Sequence, residues 1–181
     1  YMLSRGLCKS AVITDISAGS LSKAERLLEN YIKSGVCRSV CCDGLSGVPE
    51  GTADQVLIAG MGGEEILKIL REAYIPQSFV FQPMKNAPQL RQYLLERGCA
   101  IEYDGLFTET RGGLVKNYFV IKGKNSGGTR AYTRAQLAFG RDSLGTPQLA
   151  ALIEYELKKN TAYASGELSP SSRAEVEARI A

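Results

Sequence analysis

Residues 54–63 read Asp-Gln-Val-Leu-Ile-Ala-Gly-Met-Gly-Gly, and this stretch decides the fold. Residues 56–59 form a short apolar run without charge, which is typical of a strand buried on both faces of a parallel sheet. The glycines that follow let the main chain turn sharply and let a ligand approach it without a Cβ in the way. Residues 64–70 then carry apolar side chains at helical spacing. A strand, a glycine loop and a helix in this order place a ligand at the carboxyl end of the strand.

The glycine loop consists of Gly60, Gly62 and Gly63, with Met61 between them. A purely structural turn from strand to helix is the alternative, but three glycines in four residues exceed what such a turn needs. The loop does not fit Gly-x-Gly-x-x-Gly, and the Lys-Ser/Thr pair of a P-loop does not follow it. We therefore predict a ligand loop whose signature is neither that of a dinucleotide site nor that of a nucleoside triphosphate site.

Short strands alternate with helices along most of the chain, which indicates a doubly wound, Rossmann-like α/β sheet. The predicted strands cover residues 9–15, 38–42, 54–59, 78–82, 99–107 and 115–122. The last two strands are longer and flank Gly112-Gly113, so we predict an antiparallel pair at the sheet edge. The predicted helices cover residues 20–33, 64–73, 88–97, 146–164 and 169–180.

A change in composition divides the chain. Residues 125–128, Asn-Ser-Gly-Gly, predict a linker, and no strand pattern follows them. We therefore predict a sheet domain over residues 1–124 and a helical extension over residues 125–181.

Composition is that of a globular protein, with 44% apolar and 23% charged residues among 181. No apolar run approaches the roughly 18 residues that span a bilayer, so we expect no membrane segment. The five cysteines are odd in number and include the adjacent pair Cys41-Cys42, which favours free thiols in a reducing cytoplasm. Histidine and Cys-x-x-Cys are both absent from the sequence, so we expect no metal site.

Positive charge is concentrated between Thr110 and Arg141, where no Asp or Glu occurs. The basic residues of this segment are Arg111, Lys116, Lys122, Lys124, Arg130, Arg134 and Arg141. A segment of one sign is a candidate surface for phosphate contacts. A solvated basic face without a partner is the open alternative.

Acidic residues follow the first two predicted strands, at Asp15 and at Asp43-Gly44. The carboxyl ends of the strands in a doubly wound sheet face one crevice, which these acids would share with the glycine loop. Carboxylates accept hydrogen bonds from ribose hydroxyls and from an exocyclic amine, and no basic phosphate clamp accompanies them. This set suits a nucleoside without phosphates, such as S-adenosylmethionine (SAM), although acids at turns also serve as local caps.

Several motifs, taken together, resemble one family over nearly the whole chain. They are Asp43-Gly44-Leu45, Ile-Ala-Gly-Met-Gly-Gly at 58–63, Gln82-Pro83-Met84, Leu90-Arg91, Lys116-Asn117-Tyr118, and Phe139-Gly140 followed by helices. The chain thereby resembles the bacterial tRNA (adenine(22)-N1)-methyltransferase family. The resemblance implies a class I SAM-dependent methyltransferase domain with a helical extension, SAM as cofactor, and methylation of N1 of adenine 22 in tRNA.

The resemblance also implies roles for particular residues. Asp15 would bind the ribose, where the family more often has Glu, and Asp43 and Gly44 would flank the adenine of the cofactor. The remaining implied cofactor contacts are Ala59, Gly60, Met61 and Gly62. The implied substrate contacts are Gly63, Gln82, Pro83 and Met84 beside the methyl-transfer site, with Lys122, Lys124 and Arg130 on the tRNA.

One departure concerns the start of the chain. The family begins its sheet with a strand ending in Asp-Ile-Gly-Ser-Asp-His-Ala-Tyr, and Tyr1 corresponds to the last of these residues. The resemblance therefore implies that the first glycine loop, the central strand and the catalytic acid lie upstream of Tyr1, so no catalytic residue is assigned. We expect a gap between the strands that end at Asp15 and Ala59. A chain that lacks this segment is expected to be poorly stable and not to bind SAM.

Three other functions stay open at this point. A SAM-dependent methyltransferase of a small molecule or a protein would have the same fold, and its basic segment would be incidental. An RNA-binding module without a cofactor is the second possibility. A nucleotide-dependent oxidoreductase is disfavoured, because its glycine fingerprint does not occur in the sequence.

Overall fold

The computed structural model describes residues 1–112, 114–128, 131–166 and 169–180. The strands are β1 (Ala11–Asp15), β2 (Cys37–Cys41), β3 (Val56–Met61), β4 (Ser78–Pro83), β5 (Cys99–Arg111) and β6 (Leu114–Gly127). The helices are α1 (Ala18–Leu27), α2 (Glu29–Lys33), α3 (Gly63–Glu72), α4 (Ala87–Glu96), α5 (Arg134–Phe139), α6 (Pro147–Ala164) and α7 (Pro170–Ile180). This order confirms the predicted α/β architecture and the helices that follow it.

The strands form two sheets. β1 and β2 pair in parallel, and a second sheet has the order β3-β4-β6-β5. Within it β3 and β4 are parallel, whereas β6 is antiparallel to both of its neighbours. No ladder joins β1 to β3 in the described ranges.

One face of the second sheet carries the core. The fully buried side chains of Phe79 and Phe81 on β4 pack against Ile66 of α3 and Leu90 of α4. Burial of each such side chain contributes about 1.5–3 kcal/mol to stability. The helical spacing of the apolar residues in α3 and α4 therefore determines which face of the sheet they cover.

The opposite face of β3 is open, which corrects one prediction. The apolar run at 56–59 was expected to be buried on both faces, but Leu57 is 65% exposed and Ala59 is also exposed. The reason is that β3 is an edge strand, and the helices packed on its sheet lie on the other side.

Helix α3 connects the two sheets. Lys68 on α3 forms an ion pair with Asp43, with an Nζ–Oδ2 distance of 3.0 Å. Gly44 has φ +58°, and a Cβ on it would lie 2.6 Å from the side chain of Ile69. Just beyond α3, the Tyr74 hydroxyl donates to the Val48 carbonyl over 2.9 Å. The loop after β2 is thus held against the helix that begins at the glycine loop.

Two predicted boundaries are wrong. The helix expected over residues 20–33 is interrupted at Leu28 and begins two residues early, at Ala18, because Ser17 rather than Ser20 is its N-cap. The linker expected at 125–128 belongs largely to β6, which continues to Gly127. Asn125 explains this extension, because its backbone N–H donates to Gln77 O over 3.0 Å and its side-chain amide donates to Ile75 O over 2.9 Å.

A buried ion pair between α4 and β5 also binds the first helix of the helical extension, α5. The side chains of Arg91 on α4 and Asp104 on β5 are fully buried, and Arg91 Nε lies 2.9 Å from both carboxylate oxygens. Arg91 Nη1 also donates to the carbonyls of Leu137 and Ala138, over 2.8 and 3.2 Å. These carbonyls belong to α5, so one guanidinium joins α4, β5 and α5.

The residues around this ion pair leave no space for a side chain at position 140. Gly140 has φ +82°, and a Cβ on it would lie 2.7 Å from Asp104 Oδ1. Burial raises the pKa of the Asp104 carboxyl, and the neighbouring Arg91 guanidinium acts in the opposite direction. Burial and the Asp104 charge raise the pKa of Tyr132 to about 12, so its hydroxyl is neutral at physiological pH.

Removing one charge of this pair should lower the free energy of unfolding by more than the ion pair itself contributes, because the remaining charge stays buried. Asp104→Asn leaves the Arg91 charge buried without a counter-charge, and we expect a loss of about 3–5 kcal/mol in the free energy of unfolding. The double variant Arg91→Met/Asp104→Leu should lose less than the sum of its two single variants, measured by urea denaturation. Losses that simply add would show that the two side chains are not coupled.

Candidate functional site

The glycine loop exposes main chain at the end of β3. Gly60 is exposed and has φ +78°, which glycine adopts readily, and a Cβ on it would meet nothing within 4 Å. Its N–H donates to the Gln82 side-chain oxygen over 3.0 Å, so a residue at the end of β4 holds the loop. This glycine therefore combines a required backbone conformation with open space on its surface.

The other two glycines have a different role. A Cβ on Gly63 would overlap the Asn86 carbonyl oxygen, and the Gly63 N–H donates to Lys85 O over 2.8 Å. Gly62 is buried and precedes the first turn of α3. The glycine loop and the loop after β4 thus interlock through main-chain contacts, which fixes the edge of the site.

The first turn of α3 carries negative side chains. Glu64 and Glu65 occupy the positive end of the helix, where a bound phosphate would otherwise be stabilised. The nearby Lys85 forms an ion pair with Glu65, with an Nζ–Oε1 distance of 3.9 Å, so its positive charge is partly balanced by that carboxylate. The charge at this end of the helix suits a ligand without phosphates, in agreement with the sequence analysis.

The two predicted acids lie at the ends of neighbouring strands. Asp15 ends β1, and its carbonyl accepts the Cys42 N–H over 3.1 Å, one residue before Asp43. The Asp15 carboxylate accepts the Ser17 N–H over 2.7 Å at the start of α1, and Asp43 pairs with Lys68. Each carboxylate therefore uses one oxygen for a local partner, namely Asp15 Oδ1 and Asp43 Oδ2. The other oxygen of each has no hydrogen-bond partner among the described residues.

The segment Gln82-Pro83-Met84 borders the same edge. Gln82 is half-buried between Gly60 and Met84, and its Nε2 lies 3.6 Å from the Met84 sulfur. Pro83 is buried, whereas Met84 is 60% exposed. Of these three side chains, Met84 is the one that presents a large apolar surface to solvent beside the glycine loop.

The predicted tRNA contacts are partly engaged within the protein. Lys122 and Lys124 share one carboxylate, that of Glu102, at 3.6 and 2.8 Å. Arg141 donates to the carbonyls of Ile101 and Glu102 and pairs with Asp142, so it fastens the helical extension to β5 rather than facing solvent. Arg130 lies outside the described residues.

Two residues of the site were not predicted. Lys68 lies twenty-five positions from its partner Asp43, and no local pattern signals such a pair. Asn86 has φ +56°, and an asparagine just ahead of an Ala-Pro helix start was a usable signal, since asparagine tolerates this conformation.

Other kinds of site are not found in the part of the chain that the structure describes. Across the described ranges, no three His, Cys, Asp or Glu side chains lie together in a way that could hold a metal ion. The described helices include none with the length and apolar character needed to cross a membrane. All five cysteines are free, and burial raises the pKa of the Cys37 and Cys99 thiols.

Comparison with known proteins identifies the domain. The sequence profile of the family described as "Methyltransferase domain" matches residues 1–118. The chain belongs to this methyltransferase-domain family. A comparison with curated proteins gave no match.

Solved structures with the same fold span almost the whole methyltransferase chain. A protein of the NADB-Rossmann superfamily from Streptococcus agalactiae is 24% identical with a TM-score of 0.82, over 99% of this chain and 80% of that one. TrmK of M. capricolum, in complex with S-adenosyl-homocysteine, is 20% identical with a TM-score of 0.82, over 99% and 81%. The m1A22 tRNA methyltransferase TrmK of B. subtilis is 20% identical with a TM-score of 0.77, over 99% and 82%. The shared fold therefore includes the helical extension.

A matched pair of glycine variants tests the site. Gly60 and Gly51 have φ of +78° and +79°, and a Cβ would meet nothing within 4 Å at either position. Alanine should therefore cost each position a similar strain, about 1–2 kcal/mol. Gly51 precedes β3, at the other end of the strand from the glycine loop. In the full-length protein, Gly60→Ala should weaken SAM binding by about 10-fold or more, measured by calorimetric titration, whereas Gly51→Ala should not. Equal affinities in the two variants would place the cofactor elsewhere.

Proposed function

We propose that the protein is a SAM-dependent methyltransferase that methylates N1 of adenine 22 in tRNA and works in the cytoplasm. The observation that carries this proposal is the likeness in fold over 99% of the chain, helical extension included, to TrmK of M. capricolum with S-adenosyl-homocysteine and to the m1A22 tRNA methyltransferase of B. subtilis. Membership of the methyltransferase-domain family supports the type of reaction independently.

The residues at the carboxyl edge of the sheets fit this cofactor. We assign Asp15 to the ribose hydroxyls and Asp43 with Gly44 to the adenine, because carboxylates at adjacent strand ends accept the hydrogen bonds that a nucleoside donates. The segment from Ala59 to Gly62 would lie along the rest of the molecule. The open surface of Gly60 and the acidic first turn of α3 support a ligand that has no phosphate and carries a positive charge.

Methyl transfer from SAM to adenine N1 does not require a general base. Bound SAM supplies an electrophilic methyl group. Adenine N1 carries a lone pair and no proton, so no residue of the protein has to remove a proton before it attacks. The residues at the edge of the site therefore act by positioning, and the Gln82–Gly60 hydrogen bond keeps the loop in place. Gly63, Pro83 and Met84 would line the side on which the adenine enters.

The tRNA needs a larger surface than the site itself. A base within folded RNA must be unstacked before it reaches a pocket, and contacts to the backbone help to hold the RNA meanwhile. We assign this role to Lys122, Lys124 and Arg130 together with the helical hairpin of α6 and α7. Lys122, Lys124 and Glu102 form a group in which two positive charges meet one negative charge, so a positive charge remains available to phosphates.

Charge reversal tests this assignment. In the full-length protein, Lys122→Glu/Lys124→Glu should weaken tRNA binding and reduce the slope of affinity against salt concentration, since fewer counterions are released. Lys33→Glu is the matched control, because Lys33 on α2 is also exposed and also paired with a glutamate, Glu29. Filter binding at several salt concentrations gives both quantities. Identical slopes for the double variant and the control would remove these lysines from the interface.

The proposed reaction itself is tested by methyl transfer. The full-length protein is incubated with labelled SAM and, in separate reactions, with total tRNA, with a metabolite mixture and with a protein extract. We expect label in tRNA, and nucleoside analysis with primer extension should locate 1-methyladenosine at position 22. Label confined to metabolites or proteins would support the alternative methyltransferase function. Binding of tRNA without any affinity for SAM would instead support an RNA-binding module.

A further inference from the structure

The ion pair between Lys68 and Asp43 joins two elements that are far apart in the sequence. Lys68 Nζ lies 3.0 Å from Asp43 Oδ2 and 3.8 Å from Glu72 Oε2, one turn further along α3. Lys68 is five residues into α3, about 7.5 Å along the helix axis from Gly63. The ammonium group therefore lies between a carboxylate of its own helix and the carboxylate that follows β2, within two turns of the glycine loop.

The main chain on both sides of Asp43 is held without this ion pair. On one side, the Cys42 N–H donates to Asp15 O over 3.1 Å, which continues the pairing of β1 with β2. On the other side, Gly44 lies in contact with the Ile69 side chain. The loop after β2 is thus fixed by a main-chain hydrogen bond and by packing. What the ion pair adds is a fixed direction for the Asp43 carboxylate.

The two oxygens of this carboxylate have different surroundings. Oδ2 accepts the hydrogen bond from Lys68, whereas Oδ1 has no hydrogen-bond partner among the described residues. The hydrogen bond to Asp43 and the charges of Asp43 and Glu72 raise the pKa of Lys68, so its side chain is charged at physiological pH. A carboxylate that is held through one oxygen can offer the other to a ligand N–H with little further loss of rotamer freedom.

We propose that Lys68 is a positioning residue for the cofactor, which holds the Asp43 carboxylate so that Oδ1 accepts a hydrogen bond from the 6-amino group of the adenine. This inference rests on the proposed function, in which Asp43 and Gly44 flank the adenine of SAM. It adds a source of specificity, because a site built to accept a hydrogen bond rejects a ligand that lacks the donor. In this role Lys68 contacts neither the methyl group nor the RNA.

An ion pair that only supports the fold is the competing interpretation. The side chains of Lys68 and Asp43 are 58% and 44% exposed, and exposed pairs contribute little to stability. In that case the loss of Lys68 would act alike on every ligand of the site. A ligand without the 6-amino group therefore separates the two interpretations.

Two ligands isolate the hydrogen bond from the 6-amino group. In the full-length protein, calorimetric titration compares S-adenosylhomocysteine with its 6-deamino analogue, whose purine carries hydrogen in place of the amine. The unmodified protein should bind the analogue about 10-fold more weakly. Lys68→Met should weaken binding of S-adenosylhomocysteine about 2- to 5-fold, the range for loss of an exposed charge pair, and leave the affinity for the analogue unchanged.

Three further variants control this measurement. Lys68→Arg should restore most of the loss, because a guanidinium also donates to a carboxylate. Lys33→Met should change neither affinity, although Lys33 is likewise exposed and paired with a carboxylate, that of Glu29. In a protein that already carries Asp43→Asn, adding Lys68→Met should have no further effect. In steady-state kinetics, Lys68→Met should raise the KM for SAM without changing kcat.

Several results would overturn the role of Lys68. They are an unchanged affinity for S-adenosylhomocysteine in Lys68→Met, an equal loss for both ligands, or a loss that persists beside Asp43→Asn. Failure of the proposed function looks different. If the unmodified protein methylates no tRNA but distinguishes the two ligands through Lys68, the inference stands and the proposed substrate is wrong. Methylation of tRNA together with an ineffective Lys68→Met overturns the inference alone.

Discussion

The ion pair between Arg91 and Asp104 is the interaction on which the rest of the structure depends. A buried charge without a partner is very costly, so this guanidinium has to keep its carboxylate and the two α5 carbonyls within reach. That requirement fixes α4, β5 and the start of the helical extension relative to one another. Gly140 completes the arrangement, because a side chain there would enter the space that Asp104 occupies.

Helix α3 makes the corresponding connection on the other side of the site. Its first turn begins at the interlocked glycine loop, and its middle holds Asp43 and Gly44 through Lys68 and Ile69. Two glycines of the loop have different roles, since Gly63 permits close packing against the loop after β4 and Gly60 leaves its main chain exposed. A cofactor bound along this edge would contact the ends of β2 and β3 at once.

The sequence predicted the order of strands and helices because local patterns control it. Apolar periodicity, glycine turns and prolines at helix starts are short-range signals, and all the predicted strands are present. The glycine loop was predicted for the same reason. The sequence could not show that Gly63 is needed for packing, because the Asn86 carbonyl it approaches belongs to another loop. The linker predicted at residues 125–128 was wrong, since their composition is that of a linker while Asn125 is held by backbone groups near β4.

Burial of charge and exposure of apolar residues were the main features that local patterns missed. Arg91 occurs in an ordinary amphipathic helix and Asp104 in an alternating strand, and only the tertiary fold brings them together. Leu57 shows the converse, because an apolar run predicts burial only if something covers both faces of its strand. The exposure of Leu57 and Phe107 depends on sheet order and register, which the sequence pattern does not encode.

The most direct test of this account is a crystal structure of the full-length protein with S-adenosylhomocysteine. We predict that the adenosine lies against Asp43 and Gly44 and that the sulfur end lies over the open main chain of Gly60. Asp15 should be within hydrogen-bonding distance of a ribose hydroxyl. A ligand bound away from the carboxyl ends of β1, β2 and β3, or no ligand at millimolar concentration, would contradict the assignment of this edge as the methyl-transfer site.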